Sequence, residues 1–446
     1  MKRLFIILSV FAISASCSSS DNGGPDNPDG PEPQPGEVAC EDIAADYTLA
    51  PERSAKRGVS FNFQYTADVE LLGDAISWFY NWGPDVANPD VVELYTSKNI
   101  DFFPMAWNGN YSAARIRNYK AAHPECRYLL AFNEPNLTDQ ARMTPAEAAA
   151  LWPELRDLCR ELGLKIIAPA MNYGTLPDYS DPIKWLDEFF GLVPVTDFDG
   201  LAIHCYMGSA QSLKSYVRRF YKYGLPIWMT EFCAWEQNIG NYSAQMRFMC
   251  DALSYMEADS HVERYAWFMP RGSNVDVDKY PFYSLLTKTQ PFELTPLGRV
   301  FCAFPAIGST TTYAKGEVIP AERFFRSSAT VTAEEEAWSA SPQLRPTTDK
   351  GGGVLEVYNF LTGQWLDYNV SAPSGKARIY IRYAAYLDSA ATITVGNTAY
   401  TVDLPSTGDD DVWSTAILES ELASSAKTMR IKVDKGILNL NWIMIR

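Results

Sequence analysis

At 446 residues the chain is too long for one small domain and suits a barrel of about 250 residues followed by a smaller module. Its formal net charge of −16 repels polyanions, which argues against nucleic acid or an anionic membrane surface as partner and favours a neutral ligand. Aromatic residues make up 13% of the chain, with 12 Trp and 25 Tyr, more rings than an aliphatic core requires, so some are available to face a ligand.

At the N-terminus, Lys2 and Arg3 precede an apolar run from Leu4 to Ile13, far shorter than the roughly 20 residues of a membrane helix. This reads as an export signal over residues 1–16. The following Ser14-Ala15-Ser16-Cys17 resembles the lipobox of bacterial lipoproteins, with Ser14 where Leu is usual. Cys17 is then the lipid-bearing first residue of an exported lipoprotein at the outer membrane or cell surface; an ordinary secretory signal is the alternative. Residues 17–50 read as a disordered tether, because Ser18 to about Glu41 is Ser, Asp, Gly, Pro and Glu with almost nothing to bury.

From Ala55 to Phe304 short β-rich runs alternate with helical patterns, the signature of βα units and a parallel sheet. The expected strands are Arg57 to Phe63, Ala75 to Tyr80, Ile100 to Trp107, Arg127 to Asn133, Lys165 to Ala170, Gly200 to Tyr206, Pro226 to Glu231 and Glu263 to Met269. Among the helices between them, Thr144 to Leu162 has an N-cap in Thr144, Pro145 at its first position and a stop at Gly163. Ser243 to Met256 is another. The fold class is α/β, a (β/α)8 TIM barrel over residues 51–310, with a doubly wound open sheet as the alternative pattern. After Phe304 the pattern changes to short alternating strands such as Ala377 to Tyr383 and Met429 to Val433, which predicts a C-terminal β-sandwich (jelly-roll) over residues 317–446. The cysteines (Cys17, Cys40, Cys126, Cys159, Cys205, Cys233, Cys250, Cys302) mostly lie in apolar runs and read as buried thiols rather than a disulfide framework. With three histidines and no Cys/His spacing of a zinc site, no metal or organic cofactor is implied.

Side chains at strand C-terminal ends of a barrel point into its mouth. Three polar clusters fall there: Asn133-Glu134 on the fourth strand, His204-Cys205-Tyr206 on the sixth and Thr230-Glu231 on the seventh. Each glutamate follows an apolar run, which raises the cost of ionising it, and glycoside hydrolysis needs such a pair, one carboxyl as acid and one carboxylate to attack or steer water. Glu134 alone could be a capping or salt-bridged residue. Two glutamates at strand ends three βα units apart are hard to attribute to chance.

The motifs RYLLAFNEPN and LPIWMTEFCAW resemble those of clan A glycoside hydrolases, and with RGVSFNF, WFYNW, FFPMAW, IIAPAMN and GLAIHCY they look like family 128. The resemblance covers about Ala55 to Phe304 and implies a retaining endo-β-1,3-glucanase working by double displacement. Glu134 is then the acid/base and Glu231 the nucleophile. It implies further that Asn133 bonds the sugar 2-hydroxyl, that Tyr206 aims Glu231 and that His204 lines the same floor, although His204 could equally be a satisfied buried imidazole. Flat rings suit the C–H faces of sugars, so Trp82, Trp107, Trp235 and Trp267 are subsite candidates, with Asn62, Asn81 and Asn172 as weaker polar ones. Competing readings are a clan A hydrolase of mannan, xylan or galactan, and a non-catalytic surface glycan-binding lipoprotein. The expected partners are the polysaccharide and, through the lipid on Cys17, the outer membrane, with no nucleic acid; the protein is expected to be a monomer.

The tail resembles a family 6 carbohydrate-binding module from about Glu317 to Arg446. The residues carrying this are Ala321-Glu322-Arg323-Phe324, Gly363 to Tyr368, Ile381 to Ala384, Leu404 to Gly408 with Trp413, and Asn439 to Trp442. Asp410 stands where that family often has an aromatic residue, so a packed spacer is as good a reading as a sugar binder.

Overall fold

The computed structural model describes residues 34–35, 38–45, 47, 50–235, 239–272, 283–306, 308–328 and 342–446. The expected signal segment and Cys17 lie outside the described residues.

Eight strands form one parallel sheet: β1 (Arg57–Ser60), β2 (Trp78–Tyr80), β3 (Asp101–Phe102), β4 (Tyr128–Leu130), β5 (Lys165–Met171), β6 (Gly200–Cys205), β7 (Ile227–Phe232) and β8 (Val262–Trp267). Their order is β3-β2-β1-β8-β7-β6-β5-β4, so the first and last of these eight strands are neighbours. The sheet curls until its two ends meet: Leu130 N donates to Pro104 O, Ala106 N to Leu130 O and Asn133 N to Trp107 O, each at 2.9 Å. Several strands are shorter than their apolar runs, because the residues beyond them already turn into the loops of the mouth.

The helix Pro145–Leu162 begins where its sequence dictates. Thr144 and Glu147 form a reciprocal capping box, and Gly163 ends the helix at φ 65°, a left-handed conformation that favours glycine. Six of the described cysteines are buried and Cys40 is exposed, all as free thiols.

Strand period two sorts the side chains into two layers. On β8, Tyr265 faces the helices, bonding Glu257 and accepting from Arg57 Nε at 3.1 Å. Arg264 faces the interior of the curl, with its guanidinium 5.0 Å from the Trp228 ring and 5.3 Å from that of Phe103. Burial pulls this arginine's pKa down, and the surrounding rings hold the cation in a space that an aliphatic core would not tolerate.

The C-terminal region builds two seven-stranded, mainly antiparallel sheets. Along Ser389–Val395 buried and half-buried residues alternate, as expected of strands with one face on a core. One expectation is corrected here. The tether does not run to residue 50, because Val38–Glu41 pairs antiparallel with Ser414–Leu422, Val38 opposite Leu418, and becomes the sheet's edge. An open edge offers the hydrogen bonds that a polar segment cannot make alone. Asp42 then pairs with Arg382 at 2.8 Å, and Ala45 N donates to Gly351 O at 3.0 Å.

The two domains share a polar seam. Arg323 donates to Glu52, to Ala50 O at 2.9 Å and to Ala303 O at 3.0 Å, tying the β-rich domain to both ends of the α/β domain.

Candidate active site

The mouth of the curled sheet holds a cavity of about 260 Å³, lined by Glu134, Glu231, Asn133, Tyr206, Trp82, Trp107, Gln140 and Phe268. Glu134 follows β4 at φ 44° and Trp82 follows β2 at φ 60°, so two of these residues occupy left-handed backbone that non-glycine residues seldom adopt. Glu134 Oε1 accepts from Asn172 Nδ2 at 3.1 Å and lies 2.8 Å from His204 Nδ1. Glu231 Oε1 accepts from Tyr80 OH and Trp82 Nε1, both at 2.8 Å, while Oε2 accepts from Tyr206 OH and lies 3.5 Å from His204 Nδ1. Oxygens of both carboxylates and the His204 nitrogen all fall within 4.8 Å of one another. Behind them, His204 Nε2 meets Thr230 Oγ1 at 3.0 Å, which fixes the plane of the ring.

Electrostatics separate the two carboxyls. Burial pushes Glu134 up, but the charge of His204 and bonds from His204 and Asn172 outweigh it and hold the group below its ordinary value. Complete burial pushes Glu231 up as well, and repulsion from Glu134 keeps it raised against the lowering effects of His204, Tyr206 and Trp82. Burial pulls His204 down, yet the two carboxylates more than compensate and raise it, so the imidazole is the positive partner of both. Tyr80 and Tyr206 are driven far above their usual range, first by burial, and act as donors only.

The cavity brings Asn133, Tyr206, Trp82 and Trp107 to the two glutamates, while Asn172 and His204 reach them from behind. Trp235 packs edge-on to Tyr206 at 5.9 Å and so supports one wall. Three candidates do not line this cavity. Trp267 is fully buried and donates to Tyr283 O at 2.9 Å, because it shares the helix-facing side of β8 with Tyr265. Asn81 spends its side chain on its own loop, donating to Asp85 O at 2.9 Å and accepting from Gly83 N at 3.0 Å. Asn62 is exposed two residues past β1, with a 3.4 Å contact to Asn81. Phe268 and Gln140 were not singled out, and Tyr80 and Thr230 were noted at strand ends without a role. Period two along β8 could have found Phe268, one residue beyond Trp267.

Comparison with known proteins agrees with this geometry. The family described as glycosyl hydrolase catalytic core matches residues 58–301. A solved GH128 (subgroup II) endo-β-1,3-glucanase from Pseudomonas viridiflava is 37% identical, with a TM-score of 0.52 and coverage of 57% of this chain and 100% of that one. Its counterpart from Sorangium cellulosum is 34% identical, with a TM-score of 0.50 and coverage of 56% and 99%. The chain belongs to the glycosyl hydrolase catalytic-core family and, through these likenesses, to glycoside hydrolase family 128. Alkali-sensitive linkage protein 1 of Schizosaccharomyces pombe is 27% identical over 226 residues, 49% of this chain but 39% of that protein, so the chain spans about two fifths of the curated relative's length.

Residues 339–445 match carbohydrate-binding module family 35, which corrects the expectation of family 6. The structure shows why the motifs misled: Tyr368, Ile381 and Trp442 are fully buried, so they record how the two sheets pack rather than which ligand the module takes.

Proposed function

We propose that this chain is a retaining endo-β-1,3-glucanase. The observation that carries the reading is that Glu134 and Glu231 line one cavity with one oxygen of each within 4.8 Å of the other, a close approach that favours the retaining arrangement, in which the carboxyl groups stand about 5 to 5.5 Å apart, over the wider inverting one. The GH128 glucanases to which the catalytic domain is similar favour a β-1,3-linked glucan over mannan, xylan or galactan. The three backbone bonds between the sheet's ends support a closed (β/α)8 barrel, and the alternating burial beyond it supports a β-sandwich.

In the first step Glu231, as the carboxylate, attacks the anomeric carbon while Glu134 protonates the departing oxygen, so the proton that the electrostatics of the free pair favour on Glu231 has to sit on Glu134 once substrate is bound; in the second Glu134 deprotonates water, which releases the sugar. Asn172 and His204 both engage Glu134 Oε1, which leaves Oε2 for the leaving oxygen. Tyr80 and Trp82 hold Glu231 Oε1, leaving Oε2 to attack as Tyr206 releases it. The segment from Lys2 to Cys17 supports export as a lipoprotein anchored to the outer membrane.

Digestion of a panel of linear glycans tests the assignment. Oligosaccharides released from β-1,3-glucan, and none from β-mannan, xylan or β-galactan, are expected; cleavage of one of the others in preference would overturn it.

A further inference from the structure

His204 is fully buried near the end of β6, with carboxylates at one nitrogen of its ring and a hydroxyl at the other. Its Nδ1 lies 2.8 Å from Glu134 Oε1 and 3.5 Å from Glu231 Oε2, and its Nε2 lies 3.0 Å from Thr230 Oγ1. The charges that act on it are those of Glu134, just beyond β4, and Glu231, on β7; Tyr80 from β2 and Tyr206 from beyond β6 stand behind Glu231 as neutral donors. An ionised carboxylate only accepts, so Nδ1 carries a proton whenever either glutamate faces it ionised. Whether the ring is charged then turns on Nε2.

A buried N–H without an acceptor is costly, so a charged imidazole needs an acceptor at Nε2. Thr230 stands there because β7 is bulged. On one side Met229 pairs with Ile203 and Glu231 with His204, so one step along β6 matches two along β7. On the other, Met229 pairs with Tyr265 and Phe232 with Trp267, so two steps along β8 match three along β7. In a regular strand Thr230 and Glu231 would point to opposite faces; the extra residue lets both serve one site. The Thr230 hydroxyl has a single proton. Burial raises the Tyr80 phenol and the glutamates raise it further, whereas a side-chain bond from Thr230 lowers it, as a hydroxyl donating to the phenol oxygen does. With its proton turned to Tyr80, Thr230 has a lone pair for His204.

We propose that Thr230 is a positioning residue: by accepting from Nε2–H it keeps the His204 imidazole in its charged form between the two glutamates. The inference rests on the hydrolase reading and deepens it. The charge on His204 lowers both carboxyls, so a hydroxyl outside the cavity lining sets the pH range in which the pair works.

The test is nitrogen-15 NMR of the full chain with labelled histidine, in which only three imidazoles resonate and His204→Asn identifies the signals of His204. At about pH 6.5, the ordinary midpoint of a histidine, both nitrogens of the wild-type His204 ring are expected to carry protons. Thr230→Val keeps the shape of the side chain and removes the hydroxyl. It is expected to lower the His204 midpoint by about one to two pH units, the scale of one unmet buried donor, and to move both limbs of the kcat/KM profile on β-1,3-glucan to higher pH. Thr230→Ser restores the midpoint and the profile. A midpoint that Thr230→Val leaves in place overturns the proposal. So does a wild-type ring at that pH with Nδ1 protonated and Nε2 bare, a result that needs no variant to fold. Should the wild type cleave no β-1,3-glucan, the hydrolase reading fails and the NMR midpoints decide the inference alone.

Discussion

Glu134 and Glu231 share a cavity but have different guardians, and that difference makes testable demands on each side chain. Removing the acid in Glu134→Gln is expected to lower kcat/KM for β-1,3-glucan about 10²- to 10⁴-fold, with far less effect on kcat/KM for aryl glycosides whose leaving groups need no proton, since the loss of the second-step base bears on kcat. An equal loss on both substrate types would show that Glu134 does not deliver the proton. His204 supplies a positive charge that lowers both carboxyls. In His204→Asn both therefore rise, so both limbs of the kcat/KM against pH profile move to higher pH; an unmoved profile would leave His204 as packing only. The glutamates, His204 and Tyr206 were legible in the sequence because each stands at the end of an apolar strand, where geometry aims it at the mouth. Gln140 was not, since a loop's fold back over a strand leaves no periodic trace, and Trp267 misled because an aromatic ring suits the helix layer as well as a sugar.

At the scale of elements, the loop after β5 carries the Asn172 that holds Glu134, and it is locked by close approach. Asn136 Nδ2 donates to Asn172 O at 2.7 Å, and a Cβ on Gly174 would come within 2.5 Å of that nitrogen and 2.2 Å of Tyr179 O. Gly174→Ala is therefore expected to cost about 1–3 kcal/mol in thermal or denaturant unfolding and to lower kcat as Asn172 is displaced. Gly191→Ala, where a Cβ meets nothing within 4 Å, is the control and should leave both unchanged or raise stability slightly. Loss of activity in both would point away from this loop. The eight strands and the capped helix Pro145–Leu162 were readable from period and caps. Strand Val38–Glu41 was not, because its partner lies hundreds of residues away and its own composition is that of a tether.

Across the whole molecule the same seam that joins the domains determines how they unfold. Arg323 is nearly buried and faces Glu52, so Arg323→Ala strands a shielded carboxylate and is expected to destabilise the chain by about 3–5 kcal/mol by calorimetry, while activity at 25 °C persists. A variant as stable as the parent would mean that the seam contributes nothing. The division into an α/β domain and a β-rich one could be read from the change of periodicity after Phe304; the Arg323 contact could not, because it joins segments that meet only after both domains have folded. The account as a whole depends on Glu231 attacking carbon while Glu134 stands on the opposite side of the bond. Proton NMR of a β-1,3-glucan digest at its earliest time points tests this most directly. The newly formed reducing ends should appear first as the β-anomer and equilibrate later to the α-form, whereas an α-anomer appearing first would contradict the account.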